Sequence, residues 1–532
     1  MMPEAPGSFR FPLRRWLFLG ACLLAVLWVT AGVPARAQQA ATAPVAPAAS
    51  AAPQNKVQSD SAAQEREKEK KDTHLAASDA EELFHSADSI LKFASDDTRL
   101  PILHPVKRQL ASRDQVEKYV EEQMRKDQES GRFKRAQSVL QKFGLIPRDL
   151  QLEPLMVELM REQVAGYYDP AKQTFYMLDW IAPESQRPVI AHELTHALQD
   201  QTIGLEKWLK EEDLPEADKD DSSVNLSSDE QMTARTAVSE GQATAVMLDY
   251  LLQPGGRTVV TAQDYVTMFE DAMLQSSNFP VFNNAPLYIK ASLTFPYRYG
   301  LDLVRHVLID KGRENAFRGL LEHPPSTTRE VMEPKVYLAG EKLEPMRLPP
   351  LSPILGNRYS RYDVGVMGEF DVDILLQQFA GEKTARKLSP CWRGGYYYAA
   401  VRQGAMPGGA ADAKSLRQQA VPTGSLAMLY VSRWDSNESA EKFAQAYVAT
   451  LSQRYRFAQR APENPKPKDF GERVANHTKW LTDEGAVFVE PWGQTVLVME
   501  SFDDQTAAQI RAAVLGRGPE GAETPAADPG KP

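Results

Sequence analysis

An α+β fold is predicted for this chain: a mostly helical first domain with a small sheet, then a smaller α+β domain. Three observations predict it. Apolar residues recur at helical spacing in Ser78 to Phe143, Val189 to Leu198, Asp229 to Leu252 and Leu301 to Ile309. A pair of short strand-like runs, Val164 to Pro170 and Thr174 to Leu178, interrupts the helices and reads as a hairpin turning at Asp169-Pro170-Ala171-Lys172. After a stretch rich in Pro and Leu, Glu344 to Gly356, strand-like and helix-like segments alternate.

The elements follow in order. Arg10, Arg14 and Arg15 precede an apolar run from Trp16 to Val29, and Ala35-Arg36-Ala37 offers a small-x-small cleavage site. The run is shorter than the ~20 residues of a membrane span. Residues 1–37 are therefore expected to be a signal peptide and the protein to be exported, periplasmic or extracellular. Membrane attachment would come only through this segment, if it is not cleaved. Residues 38–75 are rich in Ala and Pro and then charged, too poor in apolar surface to fold, and are expected to form a disordered linker. The first domain is expected over 76–338 and a linker over 339–356. Residues 357–515 form the second domain. Its strands are expected at Gly394 to Val401, Leu426 to Trp434, Ala486 to Pro491 and Thr495 to Ser501. Its helices are expected at Asn437 to Tyr455, opened by Asp435 or Ser436 as cap, and at Thr506 to Val514. Residues 516–532 read as a disordered tail.

The chain has 532 residues, 42% hydrophobic and 25% charged, enough for two packed domains. A net charge of −10 argues against nucleic acid as a partner. With Cys22 inside the signal segment, Cys391 is left alone and has no internal disulfide partner.

The most specific chemistry lies in His192-Glu193-Leu194-Thr195-His196. Residues four apart share a helix face, so both histidines can address one metal ion, with Glu193 beside it to take a proton from water. Val189, Ile190, Leu194, Ala197 and Leu198 form an apolar stripe, so this helix is buried, and Pro188 suits its start. Zinc needs a third protein ligand. Glu240, 44 residues after His196, is the candidate. It sits in a helix rich in Ala and Thr, whose small side chains permit close approach. Between them lies Glu206 to Glu230, with ten acids against three lysines, expected to be a mobile surface loop near the site rim.

Val189 to Asp200 resembles the active-site helix of thermolysin-type zinc peptidases, and Glu240-Gly241 resembles the Glu-Gly step that supplies the third ligand in gluzincins. Pro296-Tyr297-Arg298-Tyr299-Gly300, ahead of an apolar helix, is similar to the Pro-Tyr-x-x-Gly that opens a helix in aminopeptidase-N-type members and carries an oxyanion-stabilising tyrosine. The resemblance implies a zincin-like first domain and zinc on His192, His196 and Glu240. It implies Glu193 as general base and Tyr297 at the oxyanion, with Tyr299 and Tyr168 as rivals for that role. It also implies a substrate-pairing edge strand above the active-site helix, for which Thr174 to Leu178 is the candidate; otherwise that run is an interior strand. One position departs from the thermolysin pattern: Thr244 stands where an aspartate would orient a histidine. Asp249 or Asp200 could substitute.

The leading expectation is a secreted or periplasmic zinc endopeptidase acting on proteins or peptides. The alternative is a non-catalytic binding or scaffold protein of the cell envelope built on a peptidase fold.

Overall fold

The structure is a computed structural model. It describes residues 75–516 apart from 129–130, 165, 210–227, 275–278, 345, 405–412, 417, 464–465 and 467–477. The expected signal peptide, nearly all of the expected linker at 38–75, the core of the acidic insertion and nearly all of the tail lie outside the described residues. No helix among the described residues is long and apolar enough to cross a membrane.

The first section is helical around a three-stranded sheet. It runs α1 (Ala77–Thr98), β1 (Lys107–Ala111), α2 (Arg113–Gln128), α3 (Arg132–Phe143) and α4 (Leu152–Gln163), then β2 (Tyr167–Asp169) and β3 (Thr174–Leu178). Helices α5 (Pro183–Ile203), α6 (Ser228–Leu252), α7 (Gln263–Leu274) and α8 (Leu287–Lys311) follow. The hairpin forms as its turn residues suggest, with Asp169 opposite Thr174. Strand β1 was not legible beforehand: it pairs parallel with β3, Lys107 opposite Thr174. The sheet order is therefore β1-β3-β2. Thr174–Leu178 is the central strand, not an edge. The edge strand that runs antiparallel to its neighbour is β2.

Two helix starts differ from expectation. Helix α5 opens at Pro183, so Pro188 lies inside its second turn. The Gln186 amide explains the earlier start: it bonds both the N–H and the C=O of Leu178 and the Ile181 carbonyl, tying the first turn to the end of β3. Helix α8 opens at Leu287, so Pro296 and Tyr297 lie in its middle rather than at its start.

The second section is a seven-stranded antiparallel sheet with helices. Its elements are β4 (Tyr359–Val366), α9 (Glu369–Ala380), α10 (Glu382–Leu388), β5 (Trp392–Arg402), β6 (Leu426–Trp434), α11 (Asn437–Arg454), β7 (Ala458–Arg460), β8 (Lys479–Thr482), β9 (Gly485–Trp492), β10 (Thr495–Glu500) and α12 (Asp504–Leu515). The strand order is β4-β5-β6-β10-β9-β8-β7. Ser436 caps α11, accepting from the Ser439 N–H. Alternate residues bury on opposite faces. Met428, Tyr430, Val496 and Val498 join a core continuous with the first section, whereas Leu429, Val431, Leu497 and Met499 face a separate cluster that includes Ile510 of α12. The sheet is thus a layer between the helical section and α12, and the two sections share one hydrophobic core.

Candidate metal site

Three helices build the site. Helix α5 supplies His192, Glu193 and His196 on its buried side, α6 supplies Glu240, and α8 supplies Tyr297. Helices α6 and α8 cross in backbone contact, and two glycines permit it. A Cβ on Gly241 would lie 2.3 Å from the Gly300 carbonyl carbon, and one on Gly300 would lie 2.1 Å from the Ala237 oxygen. No side chain fits between these backbones. The same crossing places Glu240 on the face that meets α5.

His192 Nε2 lies 3.1 Å from Glu240 Oε2 and 3.1 Å from His196 Nε2, and His196 Nε2 lies 3.5 Å from the same carboxylate oxygen. The three residues are the one group of histidines, cysteines and acids among the described residues whose ligand atoms gather closely enough to hold a metal. These spacings fit a tetrahedral site. Ligands at zinc's ~2.0–2.1 Å bond lengths stand about 3.3 Å from one another. The donor set, two imidazoles and a carboxylate, is also one that zinc accepts. Two imidazole nitrogens at 3.1 Å share at most one proton between them.

The site is closed in this conformation. His192, Glu193, His196 and Glu240 are each 0% exposed. Burial lowers the His192 imidazolium. For His196, burial is outweighed by the Glu240 carboxylate, which raises it to about 9. Burial alone would raise Glu240; the His196 charge and the bonds from both histidines hold it at about 2 instead. Neither oxygen of Glu193 has a hydrogen-bond partner of ordinary geometry. Its carboxyl is pushed up to about 8, chiefly by burial, against the pull of His196 and with a further push from Glu240.

The groups that orient the histidines differ from those considered in the sequence. His196 Nδ1 meets Gln199 Oε1 at 2.9 Å and the Ser239 hydroxyl at 3.3 Å. Gln199 Nε2 donates to the Ser239 carbonyl (3.0 Å) and to Gln242 Oε1 (2.9 Å). Gln242 Nε2 then donates to the Ala316 and Phe317 carbonyls, both at 2.8 Å, in a wide π-type turn over Asn315–Gly319. Asp200 instead accepts from Tyr168 and from the Leu205 N–H, and Asp249 accepts from the Val259 N–H beside Arg313. Neither aspartate reaches a histidine. The available signal was the fully buried amides and hydroxyl close to the ligands in sequence: Gln199 three residues after His196, and Ser239 and Gln242 one and two residues from Glu240.

The three tyrosines separate. The Tyr297 ring lies 6.2 Å from that of His192. Tyr168 donates its hydroxyl to Asp200 at 2.9 Å, and Tyr299 packs on Phe295, 5.3 Å between centroids. Of the acidic insertion, Glu230 is not at the surface: it is buried on the first turn of α6, accepting from Thr328. Residues 210–227 are outside the described residues.

Residues 357–511 match a family model described as a domain of unknown function (DUF8575). No curated protein and no solved structure matches the chain.

Proposed function

We propose that the protein is an exported zinc-dependent endopeptidase. The observation that carries this reading is the clustering of His192, His196 and Glu240 at tetrahedral-ligand spacings, with a buried carboxylate, Glu193, next in sequence to a ligand. The motif resemblance to gluzincins points the same way, and a zincin-like description of the first section is part of the proposal. His192, His196 and Glu240 would hold a zinc ion, which would supply Lewis-acid polarisation of a peptide carbonyl and of water. Glu193 is the general base, placed to hold a proton taken from the attacking water and to pass it to the leaving amine. Tyr297 is assigned the oxyanion, where one donor contributes roughly 2.7–4 kcal/mol. Gln199 and Ser239 hold the His196 ring in place through Nδ1. Strand β2, the antiparallel edge, is the segment on which an extended peptide could pair by main-chain hydrogen bonds.

The sealing of the group favours a second reading, a metal-stabilised protein of the cell envelope without catalysis. One experiment separates the two. Purified protein supplied with zinc is expected to bind one equivalent and to cleave a casein or peptide library. Glu193→Gln should retain the zinc and lose turnover by on the order of a hundredfold or more. Zinc binding without cleavage by wild type would select the second reading. Absence of zinc binding in wild type would sink both.

A further inference from the structure

The turn Gly368–Asp371, which opens α9 in the second section, touches both helices that meet at the candidate site. On the α8 side, the Tyr288 hydroxyl donates to Asp371 Oδ1 at 3.0 Å. The Phe370 ring lies 4.7 Å from Phe295 and 6.2 Å from Tyr288. On the α6 side, the Phe370 N–H donates to Thr328 Oγ1 (3.2 Å), and Thr328 donates its N–H and hydroxyl to Glu230 Oε2 (2.8 and 2.9 Å). Gly368 presses so closely on Glu230 that a Cβ there would lie 2.0 Å from its Oε1. Asp371 Oδ2 also accepts from the Gly368 N–H at 2.9 Å, so one carboxylate fixes both the turn and Tyr288.

These contacts bear on the site through rigid geometry. Glu230 and Glu240 lie on one helix, and Phe295 precedes Tyr297 by two positions on another. Two positions turn an α-helix by about 200°, so the face of α8 gripped by Phe370 is opposite the face that meets His192. Helices α6 and α8 are in backbone contact at Gly241 and Gly300 and cannot slide without a clash. Rotation of α8 about its axis therefore moves the Tyr297 ring directly. Some contacts between the sections are of a different kind: Tyr362 with Ser138 (3.2 Å) and Lys142 with Glu484 (3.0 Å) engage α3, which carries no site residue.

We propose that Gly368–Asp371 is a positioning element of the metal site, with Phe370 and Asp371 setting the rotation of α8, and hence the place of Tyr297, relative to α6. The second section would then be a working part of the enzyme rather than a substrate-recruiting appendage. The kinetic arm rests on the peptidase reading above; the structural arm does not.

The test uses full-length, zinc-loaded protein. Tyr288→Phe and Asp371→Ala are each expected to lower kcat on the order of tenfold, with KM and zinc content within about twofold of wild type. The double variant should be no worse than Asp371→Ala, which already removes the bond that Tyr288→Phe deletes. Asp371→Asn, which can still accept from Tyr288, should recover most of the rate. Tyr362→Phe, at the α3 contact, should leave kcat unchanged. Hydrogen exchange over residues 293–301 should speed up in Tyr288→Phe and Asp371→Ala but not in Tyr362→Phe. Unchanged kcat in Tyr288→Phe, or equal losses in Tyr288→Phe and Tyr362→Phe, would overturn the proposal. If wild type proves inactive, the peptidase reading fails by itself, and hydrogen exchange alone decides: no difference between the Tyr288 and Tyr362 variants would refute positioning. If Asp371→Ala does not fold, Tyr288→Phe carries the decision.

Discussion

Two buried polar clusters in this protein use similar residues to opposite ends. Around Glu500, every carboxylate lone pair has a donor. Oε1 accepts from Tyr447 (2.8 Å) and Arg454 (2.9 Å), and Oε2 accepts from Arg454 (2.8 Å) and Tyr455 (2.6 Å). Nearby, Lys142 spends its three protons on the Thr423 carbonyl, Glu484 and Ser501, at 2.9–3.0 Å. Burial would raise Glu500, but Arg454, Lys142 and the two tyrosines outweigh it and hold its carboxyl below the ordinary range. At the candidate metal site the opposite holds. Imidazole nitrogens face each other, and outside the group of His192, His196 and Glu240 itself, His192 has only the Ala243 backbone and Glu193 only the Tyr168 backbone as hydrogen-bonding partner. A closed network binds sections of chain together; a cluster that leaves its capacity unspent is arranged for something else.

The comparison breaks if the first cluster proves dispensable. Arg454→Met leaves Glu500 buried without its cation and is expected to cost about 3–5 kcal/mol. Urea unfolding should show this as a lower midpoint with an unchanged slope, while any zinc binding by the folded fraction persists. A loss below about 1 kcal/mol would mean that the network is incidental. Glu193→Gln sharpens the contrast from the other side: replacing a carboxyl whose ionised form burial disfavours should leave the melting temperature at or above that of wild type.

The site's own dependence is steric. Gly300→Ala places a methyl group 2.1 Å from the Ala237 oxygen, so α6 and α8 must separate. Overpacking of this kind costs roughly 1–3 kcal/mol. Because Glu240 rides on α6, zinc affinity should fall with it, measurable by competition with a chromophoric chelator. A variant with unchanged affinity would show that the crossing does not set the ligand geometry.

A third cluster lies between these extremes and gives the smallest effect. Asp97 and Asp249 sit together against Arg313. Burial, then the charge of Asp249, raises Asp97 to about 7, against the pull of Arg313. A carboxyl raised in the folded state favours folding when protonated, and that contribution is lost as pH rises from about 4 to about 7. Asp97→Asn removes this term. Its melting temperature should decline less than that of wild type over the same interval, and parallel profiles would show that the pair does not titrate there.

What could be read from the chain alone was local. The i, i+4 spacing of His192 and His196, the strand-like apolar runs at Leu426–Trp434 and Thr495–Glu500, and the hairpin turn at Asp169-Pro170 each follow from a few adjacent residues and standard backbone geometry. Glu240 was legible because a glutamate beside a glycine in a small-residue helix is an unusual combination. Tertiary structure decided what depends on distant partners. Strand β1 forms because β3 offers it an edge, which makes Thr174–Leu178 central. Helix α5 starts five residues before Pro188 because Gln186 finds the Leu178 backbone. Gln199, rather than an aspartate, meets His196, since in a packed interior the donor that fits the space, not the residue type that usually serves, completes the bond. The meeting of Gly241 with Gly300 belongs to this second kind. Each glycine is visible in the sequence, but only the crossing of α6 and α8, which brings together glycines 59 residues apart, gives the missing side chains a physical reason.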